Sequence, residues 1–478
     1  MAPTVALCAA RVGALSTSSR VGKTKGEVGV EHENTKRTRR AAVSRMLSRR
    51  RAAIAAQWIL LGGAVGVVCG IASGIFLLAL ESATRFRTQH EVIVYFLPVA
   101  GLFIGALYQW LGTPIRGGYN LVLDTLHTDG AQVPIRMAPM VLVGTVLTHL
   151  FGGSAGREGT AVQMGSSLAD AIAHGLRLQG PARRQVLAAG IAGGFGSVFG
   201  TPIAGAVFGL EAIRVGRIEY DALLPALVAS IVGDVTTRAL GVRHTVYPVP
   251  AHLDMTLPVF GKWLLFAIAV ALVTVAFVEL LHLLKRQLET RVPRLPIRML
   301  LGGLAVVGLW KLAGTSDYLG LGVPTIVRAF VDPHLPWLAF AWKLVFTVVT
   351  LGAGFLGGEV TPLFFVGAAL GNALGRLLGL PLDLAAGVGL ASVFGAAANT
   401  PIALSIMAVE LLGANAFPHV VVVAVVAYIA SGHRGIYPSQ RVARAKLASR
   451  THRELPLREW SRAHDEEVAE SLRAPIQK

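Results

Sequence analysis

Glu158 lies in Phe151-Gly152-Gly153-Ser154-Ala155-Gly156-Arg157-Glu158-Gly159-Thr160, a small-residue loop that leads into the helix start Ala161-Val162-Gln163-Met164-Gly165. The first turn of a helix presents free N–H groups and partial positive charge, so it attracts an anion. That anion is either the Glu158 carboxylate or a solute competing with it. Carboxylates among long apolar stretches are costly and mark function, so Glu158 is predicted to gate or to exchange protons rather than serve only as a structural partner of Arg157. For Arg157 itself, pathway electrostatics and structure both remain open. A second segment, Gly352-Ala353-Gly354-Phe355-Leu356-Gly357-Gly358-Glu359-Val360-Thr361-Pro362, has the same grammar, with Pro362 suited to the first helical turn. The amides from Glu359 through Val360 to Thr361 are predicted to face an anion. The Thr361 hydroxyl is either a further donor or an ordinary N-cap, and Glu359 reads as a structural group satisfying buried amides or a neighbouring arginine.

The elements around these loops are duplicated. Thr201-Pro202-Ile203-Ala204 precedes Glu211, and Thr400-Pro401-Ile402-Ala403 precedes Glu410, each glutamate nine residues after its proline. Upstream, Ala188-Ala189-Gly190 with Val198-Phe199-Gly200 matches Ala385-Ala386-Gly387 with Val393-Phe394-Gly395, and Arg157-Glu158-Gly159-Thr160 matches Gly358-Glu359-Val360-Thr361. Two copies of a broken-helix unit describe a transporter-like bundle whose equivalent segments meet near the midplane, the second copy expected to be inverted. Glu211 and Glu410 read as structural, pairing with a neighbour such as Arg214.

Lipid is the solvent for most of this chain. Of its 478 residues 53% are hydrophobic and the mean hydropathy is +0.60, above the range of soluble domains. Trp58–Leu80, Val92–Leu111, Trp263–Leu284 and Trp342–Leu356 are apolar runs approaching or exceeding the roughly 20 helical residues that cross a hydrocarbon core. Many runs are short and broken by the 54 glycines and 23 prolines, and irregular backbone at membrane depth is tolerated where it lines a cavity. The net charge of +17 is concentrated towards the two ends, which is the signature of cytoplasmic flanks rather than of a nucleic-acid partner. Residues 1–52 are therefore expected to form a basic, disordered N-terminal tail. Residues 53–440 form the transport domain, with repeats over about 53–240 and 260–440, and residues 441–478 a basic cytoplasmic tail. Neither Cys8 nor Cys69 builds a disulfide or metal site, and the 13 histidines show no ligand spacing. No cofactor is expected. His149 reads as a packed residue, and with no nucleophile–base pair or metal-ligand set beside the carboxylates, an enzyme is disfavoured.

These motifs resemble the chloride-channel (CLC) family of anion channels and anion/proton antiporters over roughly residues 55–440. The GREGP-type loop of that family is matched by Gly156-Arg157-Glu158-Gly159-Thr160, its Gly-Gly-x-x-x-Pro helix start by Gly357–Pro362, and its late tyrosine by Tyr437 in Gly435-Ile436-Tyr437-Pro438-Ser439-Gln440. Residue pattern alone makes Tyr437 an interfacial anchor. The resemblance implies instead that Tyr437 donates to a central anion, and it implies an all-α polytopic inverted-repeat bundle of short, tilted and broken helices, assembled as a homodimer with one halide pathway per subunit.

Three departures from the common family pattern narrow the reading. The serine segment is replaced by Gly117-Gly118-Tyr119-Asn120-Leu121, GREGP has become GREGT, and a usual phenylalanine is Val360. This combination resembles the fluoride-exporting branch. There Tyr119 either donates to a small anion or simply fills space, with Asn120 beside it. The second of two adjacent glutamates, which carries protons in the chloride/proton exchangers, is Ala212 here. The resemblance then implies fluoride/proton antiport with Glu158 moving alone, in a bacterial inner membrane with both termini cytoplasmic. A chloride-selective channel or exchanger is the alternative.

Overall fold

The computed structural model describes residues 25–112, 115–128, 130–447 and 454–460. Among these, the N-terminal half comprises α1 (Lys25–Gln89), α2 (Leu97–Leu111), α3 (Tyr119–His127), α4 (Met137–Leu150), α5 (Glu158–Gly175), α6 (Gly180–Phe199), α7 (Pro202–Glu211) and α8 (Leu223–Ala239). The C-terminal half comprises α9 (Leu257–Arg291), α10 (Leu295–Ala313), α11 (Val323–Arg328), α12 (Ala339–Gly352), α13 (Val360–Leu378), α14 (Leu382–Ala398), α15 (Pro401–Leu412) and α16 (Phe417–Ala430). Two-residue strands β1 (Arg214–Val215), β2 (Arg441–Val442) and β3 (Leu455–Pro456) form one small sheet, β1 parallel to β2 and β2 antiparallel to β3.

The chain divides into two units, Met1–Gln57 and Trp58–Lys478. Residues 25–52 were expected to be disordered and are helical, while residues 1–24 lie outside those described. The stretch Ala41–Ala56 is rich in Ala, Leu, Met and Arg, which are strong helix formers, and it extends an apolar helix already nucleated, so no nucleation cost opposes it. The residues after Gln440, expected as a tail, instead contribute β2, β3 and a final helical turn.

Among the described residues, six helical stretches are long and apolar enough to cross a membrane: Ser48–Gln89, Glu91–Leu111, Tyr220–Ala239, Leu257–Arg291, Leu295–Ala313 and Val360–Leu378. With the shorter apolar helices between them, they make the chain an integral, multi-pass membrane protein. Broken helices α4–α5 and α12–α13 are equivalent in the two halves. In each half a glycine pair lets the following helix pack at backbone contact: Gly165 against Gly190 between α5 and α6, and Gly367 against Gly389 between α13 and α14.

The inversion of the repeat is visible in its glutamates. Glu211, ending α7, accepts from the first amides of α15, Ile402 N–H at 3.1 Å and Ala403 N–H at 2.7 Å. Glu410, near the end of α15, accepts from the first amides of α7, Ile203 N–H at 2.9 Å and Ala204 N–H at 2.7 Å. Each helix thus caps the other, which requires them to run antiparallel about a two-fold axis. A carboxylate on a helix N-terminus satisfies orphan donors and opposes the dipole. The expected pairing of Glu211 with Arg214 is therefore wrong: Arg214 lies 2.8 Å from Glu219 and 3.4 Å from Glu454. A helix start across the fold offers two aligned N–H donors and its dipole to the buried Glu211 carboxylate, while Arg214 is taken by Glu219 and Glu454.

Candidate anion site

The two glycine loops meet directly. Gly156 N–H donates to Gly358 O at 2.6 Å and Gly358 N–H to Gly156 O at 2.8 Å, a two-residue antiparallel bridge between halves. A methyl group on Gly358 would come within 2.7 Å of Gly159 N, so glycine is what lets the helix starts approach. Side chains behind the bridge hold the first loop. Ser154 N–H donates to Thr350 Oγ1 at 3.1 Å, its hydroxyl pairs with Thr347 at 2.9 Å, and His149 Nε2 sits 2.9 Å from Ala155 O. His149 is fully buried and packed, as expected.

Glu158, 1% exposed, opens α5 but points across the bridge to the start of α13. Its Oε2 accepts from Thr361 N–H at 3.1 Å and from Arg157 N–H at 3.1 Å, and its Oε1 accepts from the Thr361 hydroxyl. Arg157 Nε lies 3.4 Å from Oε1. The Thr361 hydroxyl therefore serves the carboxylate rather than capping α13. Gly156 and Gly159 contribute through backbone approach. Val360 is buried at the first turn, and no hydrogen bond joins its amide to Glu158 among the described contacts. The carboxylate thus occupies a position built from an amide and a hydroxyl at a helix N-terminus, donors that suit any small anion.

Two cavities flank this contact. One, of 310 Å³, is lined by Arg85, Arg157, Arg243, Glu81 and the turn Leu321–Val323 beyond α10. The other, of 390 Å³, is lined by Thr160, Gly357, Glu359, Tyr119, Asn120, Tyr437 and the basic residues Arg116, Lys285 and Arg298. Leu295 and Arg298, at the start of α10, belong to the second cavity, and the turn after its end to the first. The 19 residues of α10 extend about 28 Å, and the neighbours of Glu158 divide between the cavities, Arg157 lining the first and Thr160 the second. Arginines in both walls, with Lys285 in the second, raise the local concentration of anions.

Tyr119 and Tyr437 close the wall of the second cavity edge to face, ring centroids 4.6 Å apart. Both are buried, and the Tyr119 hydroxyl has no partner among the described residues. Asn120 also lines this cavity; its Oδ1 accepts Ser439 N–H at 3.1 Å, tying α3 to the Tyr437 turn and leaving its NH2 as the donor an anion could use. Glu359 lines the cavity, its carboxylate accepting from its own backbone N–H, and among the described residues it makes no ion pair with an arginine. An ionised carboxylate has no donor, so this side chain meets an anion only when protonated. Lys285, Arg298, Gln163 and Thr145 were not anticipated. Thr145, 2.8 Å from Thr160 Oγ1, carries no local motif, whereas the basic cluster Lys285–Arg286 at the end of a long apolar run was a usable signal. Among the described residues no group of His, Cys, Asp or Glu could hold a metal ion.

Residues 100–432 match the family model described as voltage gated chloride channel. The chain belongs to that family. A member of this chloride channel family from Pseudomonas syringae pv. tomato, named as a chloride/fluoride channel protein, is 46% identical over 411 residues, covering 84% of this chain and 89% of the relative. The solved structure of a CLC-type fluoride/proton antiporter superposes with a TM-score of 0.78 at 38% identity, covering 80% of this chain and 98% of that one. The structure of a slow cyanobacterial chloride/proton antiporter, at 17% identity and a TM-score of 0.69 over 78% of this chain and 94% of its own, shares the fold.

Proposed function

We propose that the protein exports fluoride in exchange for protons, with Glu158 as gate and proton carrier. The observation that carries this reading is the Glu158 carboxylate seated on the Thr361 N–H and hydroxyl, between two cavities. An anion arriving at the same donors must displace it. A displaced carboxylate facing a cavity gains a proton, and a protonated one gives up the positive helix end, so the two ligands exchange places. Fluoride accepts strong hydrogen bonds and is strongly hydrated, so it needs donors such as the Thr361, Tyr119 and Tyr437 hydroxyls to replace water. The likeness to the solved fluoride/proton antiporter at 38% identity supports fluoride, and the relative named for both chloride and fluoride is compatible with it. Glu359, in the cavity beyond, is placed to receive a proton on the same route.

The basic residues ahead of the apolar part of α1 favour a cytoplasmic N-terminus, which puts the Tyr437 cavity on the cytoplasmic side and the Arg157 cavity outside. Residues 53–440 are the transporting unit, two subunits form a homodimer embedded in lipid, and the host membrane is a bacterial inner membrane. Fluoride and chloride efflux from proteoliposomes, with pH recorded simultaneously, tests the proposal. Fluoride efflux with proton uptake supports it. Equal chloride efflux without proton movement supports the chloride-channel alternative, and no halide flux refutes both.

A further inference from the structure

We infer that the C-terminal segment Glu454–Trp460 is part of the inner gate, with Arg458 and Asp124 as positioning residues for Tyr437. The turn Tyr437–Gln440 is held at every step. Gln440, fully buried, donates from Nε2 to Ala212 O and to Ala398 O, both at 2.9 Å, so it joins the ends of α7 and α14, one from each repeat. Its Oε1 accepts from Asn399 Nδ2 at 3.2 Å. On the other side of the turn, the C-terminal segment supplies the remaining backbone partners. Leu457 N–H donates to Gln440 O at 2.8 Å, Arg458 N–H donates to Pro438 O at 3.1 Å, and β3 pairs with β2 immediately after the turn.

The side chains of the segment reach the other half of the tyrosine pair. Arg458 lies 3.4 Å from Ser439 Oγ and 3.6 Å from Asp124 Oδ1, and Ser439 Oγ donates to Asp124 Oδ2 at 3.0 Å. Asp124 is on α3, the helix that begins with Tyr119. Arg458, Ser439 and Asp124 thus clamp the Tyr437 turn to the helix bearing the opposing ring. Leu457 and Trp460 pack with Val215 and Val442, sealing the clamp with an apolar patch of its own. A solvated tail would make none of these bonds. Releasing the segment removes partners from Pro438, Ser439 and Gln440 while leaving the Glu158–Thr361 contact untouched. Tyr437 then loosens and anions pass without waiting for the proton step.

This inference rests on the proposed role of Tyr437 in closing the cytoplasmic cavity, and its test keeps the two apart. Full-length Arg458→Ala, Asp124→Ala and the double variant are reconstituted, and anion turnover and protons moved per anion are measured beside thermal stability in detergent. Losing one such half-exposed contact is expected to raise turnover and lower the coupling ratio by about 1.5- to 5-fold, with the double variant no worse than either single and Arg458→Lys restoring much of the loss. Ser439→Ala, which removes only the hydroxyl, serves if either charge variant fails to fold and is expected to shift the ratio the same way. Unchanged turnover and coupling in all three single variants overturns the clamp. Were the unmodified protein to move no protons, the proton reading would fail, and the clamp would still be judged by anion turnover.

Discussion

Replacing Thr361 by valine isolates the competition between Glu158 and a solute anion. The two side chains are nearly isosteric, so the change removes the hydroxyl that donates to Glu158 Oε1 and leaves the Thr361 amide on Oε2 at 3.1 Å. A hydrogen bond to a charged group contributes about 1.5–3 kcal/mol, which corresponds to roughly 10- to 150-fold in the occupancy of the site by the carboxylate. With the Glu158 side chain seated most of the time, every fold lost in that occupancy appears as tighter apparent binding of the solute. Offset against this is any bond the solute itself makes to the hydroxyl. Fluoride titration calorimetry separates the two, using the unmodified protein, Thr361→Val, Glu158→Gln and the double variant. In the Glu158→Gln background the valine should weaken binding or leave it unchanged, because no carboxylate remains to be released. In the Glu158 background it should bind more tightly than that comparison predicts, the difference being the coupling of about 1.5–3 kcal/mol. Identical effects of valine in both backgrounds would refute the shared position.

Other substitutions test the surrounding construction. Gly358→Ala places a methyl group 2.7 Å from Gly159 N and 3.1 Å from its Cα; since both are backbone atoms the helix starts must separate, and transport is expected to fall on the order of 10- to 100-fold with the protein still folded by size-exclusion chromatography. Glu211→Ala strands the Ile402 and Ala403 amides at a cost of about 3 kcal/mol, read as a lower thermal midpoint in detergent; Glu410→Ala should cost less, because Glu410 is only half-buried and water can replace it. Tyr119→Phe removes a hydroxyl with no partner among the described residues, so stability should hold while fluoride affinity falls by about 10-fold or more if the phenol donates to the ion. Unchanged affinity in that variant would assign the ring to filling space.

What could be read from the residues was local grammar. A small-residue loop followed by a helix start announces an anion position whatever lies across from it, so Glu158 and Thr361 were found before their contact was. The Thr-Pro-Ile-Ala repeats likewise announced two halves. Their partners were not legible, because the amides that Glu211 caps lie on α15, about 190 residues further along, and sequence proximity offered Arg214 instead. Asn120 shows the same limit: its bond from Ser439 N–H spans 319 residues of chain. The C-terminal clamp was missed for a different reason. Glu-Leu-Pro-Leu-Arg-Glu-Trp is short and mixes apolar with charged residues, and its order derives from pairing with β2 and the Tyr437 turn rather than from any periodicity of its own. The helical residues before position 52 were misjudged because basic charge outweighed helix propensity in the reading.

The central claim is that Glu158 and the transported anion occupy one position and exchange through a proton. Calorimetry of fluoride binding in buffers of differing ionisation enthalpy measures the protons taken up as the ion binds. The account predicts proton uptake with fluoride in the unmodified protein and none in Glu158→Gln, which should bind the ion more tightly at neutral pH. Equal affinity in the two proteins, with no proton uptake in either, would contradict it.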